Sequence, residues 1–216
     1  MVKDNVFIIE FIDRSTECIV GDRELDSMSI TKVLNELGQS PENLIGGSVI
    51  EIDATDFQKI GESLLPIGIN PSSILLARLR RRRKLDDLPY KIHTNRELAM
   101  MLAGSKPLAV FSEHVQDPNN EASVIPDAQF LPHVAEGLFV RREITTTAAD
   151  GQKDRLVLYA TRAETWRIEA YILLRHTAEK CGWSEGFERL EGSLLGYLDW
   201  QNDAYIRIIF LPHSKK

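Results

Sequence analysis

Two kinds of residue in this chain could do chemistry: imidazoles near carboxylates, and a dense run of guanidinium groups. The five histidines are His93, His114, His133, His176 and His213. His114 directly follows Glu113. His176 follows Arg175 on a stretch that also carries Glu164, Arg167 and Glu169, with Glu188, Arg189 and Glu191 further on. An imidazole and a carboxylate held beside one bond can take and return a proton, which is the working part of many hydrolases and transferases. Glu113 and His114 lie in a strand-like run, however, and alternation sends strand neighbours to opposite faces. The charged residues from Glu164 onward also fit exposed helix faces, where i,i+3 and i,i+4 pairs contribute only about 0.2–0.5 kcal/mol each. A small hydrolase or transferase using Glu164, Glu169, His176 or His114 is therefore the third functional reading, and it requires a pocket that only the fold can supply.

Other catalytic signatures are missing from the sequence. No HExxH or HxxxH unit occurs, and Cys18 and Cys181 are far apart, so no metal site and no cofactor is expected. There is no GxSxG elbow. Ile45-Gly46-Gly47-Ser48 lacks the lysine of a phosphate-binding loop and reads as a turn before a strand.

The guanidinium run is Arg78, Arg80, Arg81, Arg82, Arg83 and Lys84, six cations within seven positions of a chain whose net charge is −6. Of its 26 basic residues the other 20 face 32 acidic ones. An acidic body with one positive spot attracts acidic protein surfaces or phosphates. Ile74, Leu75, Leu76 and Leu79 suggest a helix opened by Asn70-Pro71, with the cations in its last turns, where they suit the negative end of the helix dipole. A solvated helix end partly paired with Asp86 and Asp87 is the bland alternative. No aromatics interleave the run, which counts against single-strand nucleic-acid binding.

A second candidate contact is Trp200, Gln201, Asn202 and Asp203, following Tyr197, Leu198 and Asp199. Tryptophan and tyrosine with amides alongside are residue types that dominate protein interfaces. Core packing is the simpler role for Trp200, with Asp199 capping the last helix. Gln201, Asn202 and Asp203 are less well explained by packing.

The elements that must position these groups read as α+β. The apolar fraction is 43 % and the charged fraction 27 %, ordinary for a globular chain of 216 residues. Strands are expected at Val6–Ile12, Ser48–Ile52, Leu108–Phe111, Leu138–Thr147 and Arg155–Thr161, the last two joined through Ala149-Asp150-Gly151. Capping boxes at Thr55–Gln58, Thr94–Glu97 and Thr161–Glu164 open helices. The third helix should run to about Lys180, with Trp166, Ala170, Leu173, Leu174 and Thr177 on its apolar side. Gln116–Gly137, with Pro118, Pro126 and Pro132, is the most irregular stretch, either a functional loop or a surface excursion with a helical turn near Phe130 to Glu136.

The expected fold is small antiparallel sheets covered by helices, with the C-terminal part ending in two or three helices. Asp86-Asp87-Leu88-Pro89 divides an N-terminal part, residues 1–88, from a C-terminal part, residues 89–216, with a shared core allowed. Two cysteines, no leader-like N-terminus and no long apolar stretch suggest a reducing cytoplasm and no membrane span. The first functional reading is a non-enzymatic protein-binding module of bacterial type (inhibitor, immunity-like or adaptor) that meets an acidic partner surface. The second is a nucleic-acid-associated protein gripping phosphates through Arg78–Lys84. The sequence does not specify an oligomeric state.

Overall fold

The apolar run near the N-terminus is a strand with both faces covered. Every residue of β1 (Phe7–Asp13) except the last is buried, as expected of a central strand. It pairs antiparallel with β2 (Ile19–Leu25) on one side, through a turn in which Asp13 accepts hydrogen bonds from the amides of Ser15 and Thr16 at 2.9 and 3.1 Å. On its other side it pairs with β4 (Ile74–Arg81), which in turn pairs with β3 (Val49–Ile52). The sheet order is β2-β1-β4-β3, all antiparallel. The computed structural model describes residues 6–60, 64–115, 123–147 and 153–214.

One face of this sheet, carrying Phe7, Ile9, Phe11, Ile52, Ala77 and Leu79, forms a core with α1 (Ser27–Glu36) and α2 (Ala54–Ile60). Asp26 caps α1 by accepting from the Ser29 amide at 2.7 Å, and Gly38, at φ +61°, lets the chain leave it. For α2 the cap is Asp53, which accepts from the amides of Thr55 and Asp56, rather than the expected Thr55. Part of the expected extension of α2 to Leu65, residues 61–63, lies outside the described residues.

The largest departure from expectation is β4. The helix anticipated over the arginine run is a strand: Ala77 and Leu79 point into the core while Arg78 and Arg80 point to the other face. Ile74, Leu75 and Leu76 have helical spacing only as a short cluster. The Ala-Arg-Leu-Arg alternation that follows has period two, and pairing on both sides decides the outcome.

The chain divides into two units: Met1–Asp87 with His93–Arg96, and Leu88–Ile92 with Glu97–Lys216. The second unit opens with α3 (Glu97–Leu102) and holds a three-stranded antiparallel sheet of β5 (Leu108–Val115), β6 (Phe139–Thr147) and β7 (Lys153–Thr161), in the order β5-β7-β6. The Ala149–Gly151 turn lies outside the described residues, as do Pro118 to Glu121. Within the stretch expected to be irregular, the turn expected near Phe130 to Glu136 is a longer helix, α4 (Asp127–Ala135). Its Phe130 packs among Phe111, Phe139 and Tyr159 on one sheet face.

The opposite face, with Leu108, Leu158 and Ala160, packs against α5 (Trp166–Cys181) and Leu194 of α6 (Glu185–Leu194). The chain ends in α7 (Asp199–Tyr205), a π-helical stretch Ile206–Phe210, and α8 (Leu211–Ser214). The buried side of α5 is Ile168, Tyr171, Leu174 and Ala178, and the expected Trp166 and Leu173 face outward. Among the described residues, no helix is long and apolar enough to cross a membrane.

Candidate active site

Strand register brings the first pair together. In the β5–β7 ladder Glu113 stands opposite Arg155, and one residue further His114 stands opposite Asp154. Successive residues face opposite sides, so the two pairs are on different faces of the same sheet. On the α5 side the His114 Nδ1 meets the Asp154 Oδ1 in a direct hydrogen bond.

Helix α5 supplies the facing wall. Ile172, Arg175, His176 and Glu179 recur at three- and four-residue steps beside its buried stripe, and they line one groove with Ser112, His114 and Asp154. The groove has a volume of about 380 Å³ and an apolar floor of Ile144, Leu156 and Ile172. His176 Nδ1 lies 3.9 Å from Glu179 Oε2, an ion-pair distance beyond hydrogen-bond reach. The Arg175 guanidinium sits 5.4 Å from the centre of the Trp183 ring, within range of a cation–π attraction. The groove therefore combines two imidazoles, each with its own carboxylate, the Arg175 guanidinium and the Ser112 hydroxyl, with Glu113 and Arg155 also at its wall. Such a set can accept a proton, donate a proton and stabilise an anion.

On the other face, charge is internally satisfied. Arg155 donates to Glu113 at 2.9 Å, to Asp127 at 3.0 Å and to Glu143 at 2.8 Å, while Arg141 donates to Asp127 and Glu143. Tyr159 also donates to Asp127. These bonds pin the start of α4 to the sheet. They hold the Asp127 carboxyl below its ordinary range although burial pushes the other way.

The remaining acid–base candidates lie elsewhere. Glu164 accepts from Arg167 Nε at 2.7 Å and Trp166 Nε1 at 3.0 Å, and Arg167 reaches on to the Ser193 carbonyl at 2.8 Å. Glu164 thus ties the start of α5 to the end of α6. Glu169 is exposed on α5 and does not line the groove. Glu191 accepts from the Tyr171 hydroxyl at 2.7 Å, and burial raises its carboxyl above the ordinary value. The structure brings His114 and His176 together and leaves Glu164 and Glu169 out.

The arginine run meets the chain's own acids. Arg80 is only 7 % exposed. It donates a two-pronged bond to Asp86 at 2.8 and 2.9 Å and a further bond to Glu10 at 2.8 Å. Burial opposes its charge, but those hydrogen bonds outweigh burial and raise its pKa. Arg78 pairs with Glu51 at 3.2 Å, its opposite number on β3. Arg82 and Lys84 both meet Asp87, at 3.0 and 2.9 Å. Arg81 lies 5.9 Å from the Phe7 ring centre. Among the described residues Arg83 alone of the six has neither an ion pair nor an aromatic partner for its exposed side chain. The expectation of an outward helix end is corrected accordingly: four of the six cations face carboxylates.

The second group is split by role. Trp200 is 49 % exposed, not core, with its ring edge-on to Tyr90 at 5.5 Å. Gln201 caps α7 by accepting from the Leu198 amide at 2.8 Å, a task expected of Asp199. Asn202 is buried and donates to Ser193 Oγ at 3.2 Å. Asp203 accepts from Arg189 at the surface.

Sequence reasoning missed Asp154, Ser112 and Glu179. Glu179 was legible, three residues after His176 on a helix. Asp154 was not, because β5 and β7 are not joined by a hairpin and their register is set by packing. Among the described residues no three His, Cys, Asp or Glu side chains converge to hold a metal ion. No protein-family model, curated protein or solved structure matches the chain.

Proposed function

We propose that the groove of the second unit is an active site for general acid–base transfer, of the hydrolase or transferase class. One observation carries this reading: two imidazoles from different elements, each beside its own carboxylate, line a single groove of about 380 Å³. A concave site with convergent polar groups is where ligands bind. Asp154 engages the His114 ring through Nδ1, so Nε2 is the ring nitrogen that would handle a proton. Glu179 stands 3.9 Å from the His176 ring, one turn further along α5.

The test is a panel of carboxylic esters, phosphomonoesters, phosphodiesters and peptides, assayed with wild type, His114→Asn and His176→Asn. One class should be turned over, with a loss of about 100-fold or more in each variant. Turnover of no class, or turnover that both variants retain, overturns the reading.

A second reading is a non-enzymatic protein-binding module of bacterial type. Its support is the exposure of all three tryptophans, Trp166, Trp183 and Trp200, together with the exposed Arg82, Arg83 and Lys84, which suit an acidic partner. Capture of an acidic partner that fails with Trp200→Ala or Arg83→Glu would favour it. A phosphate grip by Arg78–Lys84 has less support, since Arg78, Arg80, Arg82 and Lys84 already have carboxylate partners.

A further inference from the structure

We propose that the groove's substrate is single-stranded RNA, cleaved by attack of a ribose 2′-hydroxyl on the adjacent phosphodiester; this rests on the acid–base reading above. The argument starts from what the groove contains and what each group can do. His114 and His176 are two imidazoles, the side-chain type that can either accept or donate a proton. Arg175 provides a guanidinium, the side chain best matched to phosphoryl oxygens. The hydroxyl lining the groove is that of Ser112, and the Nδ1 of the neighbouring His114 is turned to Asp154 rather than to it. A substrate that carries its own nucleophile beside the scissile bond completes the set.

Charge supports the same choice. The carboxylates facing the groove from β7 and α5 are Asp154 and Glu179, and the cation facing it from α5 is Arg175. Glu113 and Arg155, also at the groove wall, satisfy each other. Arg155 is neutralised by Glu113, Asp127 and Glu143, which leaves Arg175 as the groove's guanidinium for a phosphodiester. The floor of Ile144, Leu156 and Ile172 offers apolar contact to a sugar or base.

The step is balanced within substrate and protein. His114 Nε2 takes the proton from O2′, and the O2′–P bond forms. The P–O5′ bond breaks, its electron pair staying on O5′, which takes a proton from His176. The products are a 2′,3′-cyclic phosphate and a 5′-hydroxyl. Arg175 meets the charge on the five-coordinate phosphorus. Asp154 and Glu179 are positioning residues.

The test uses the full chain and a 5′-labelled mixed-sequence single-stranded RNA, with DNA and 2′-O-methyl RNA of the same sequence. RNA should yield 2′,3′-cyclic phosphate ends while both controls stay intact. His114→Asn and His176→Asn should each lose about 100-fold or more. Asp154→Asn should lower kcat and displace the pH–rate profile with KM little changed. Folding of each variant is checked by circular dichroism. Intact RNA, or cleavage that survives both histidine variants, overturns the proposal. A parallel set of chromogenic esters separates the two levels. Ester turnover lost in the histidine variants, with RNA intact, removes only the RNA assignment. No histidine-dependent turnover of any probe removes the acid–base reading as well.

Discussion

Asp154 stands directly across the β5–β7 ladder from His114, and its Oδ1 meets the imidazole Nδ1. The pairing exists because β7 lies between β5 and β6, so the second residue of β7 meets one near the end of a strand 40 positions earlier. The orientation of the ring follows from that contact. If Asp154 acts by holding the ring, Asp154→Asn should reduce turnover while leaving substrate affinity close to wild type. Steady-state kinetics check this, and a rise in KM with kcat unchanged would contradict it.

The Glu10–Arg80–Asp86 cluster is structural. Arg80 and Glu10 are each under a tenth exposed. Arg80→Met would strand a buried carboxylate and should cost about 3–5 kcal/mol. Adding Glu10→Leu should recover part of that loss, because the stranded charge goes with it. Urea unfolding measures both; a single-variant cost below about 1 kcal/mol would place Arg80 among ordinary surface cations.

Lys106 gives a pH dependence of defined sign. It is 3 % exposed and donates to the Leu195 carbonyl at 3.2 Å, at the end of α6. Burial pulls its pKa down from 10.5 to about 8, against the opposing charge of Glu97. Between pH 8 and 10.5 the unfolded chain holds more protons than the folded one, so stability rises with pH across that window. Below pH 8 the full burial cost is present, about 3 kcal/mol. Lys106→Met removes the titrating group. The wild type should therefore gain on the variant by about that amount between pH 8 and 10.5. Parallel stability curves for the two proteins would contradict this.

The exposed cations test the binding alternatives separately. Arg82, Arg83 and Lys84 changed together to glutamine should leave the unfolding midpoint within about 0.5 kcal/mol of wild type, since exposed pairs contribute little. Heparin retention at low salt should be weak in both proteins. Strong retention by wild type that the triple variant loses would restore the phosphate-gripping reading.

The sequence was most legible where structure is local. The α+β class, with antiparallel sheets and a helical C-terminal part, follows from strand-like runs, caps and glycine stops, such as Gly38 and Gly182 at positive φ. It was least legible where partners are distant. The acids that meet Arg78 and Arg80 include Glu51 and Glu10, 27 and 70 residues away, and only strand pairing brings them into reach. The same ladder turned an apparent helix into β4. On α5 the expected apolar side was right in part: Leu174 and Ala170 join Ile168 and Tyr171 against the sheet, while Trp166 and Leu173 face outward. Of the groove, His114 and His176 were visible as residue types; their common site needed the packing of α5 over β5 and β7.

The most direct measurement is the pH–rate profile of the groove's reaction in wild type, His114→Asn and His176→Asn. Two imidazoles working as base and acid predict a bell-shaped profile for wild type, with one limb lost in each variant along with about 100-fold or more of the rate. Profiles of the same shape in all three proteins, or no histidine-dependent turnover at any pH, would contradict the account.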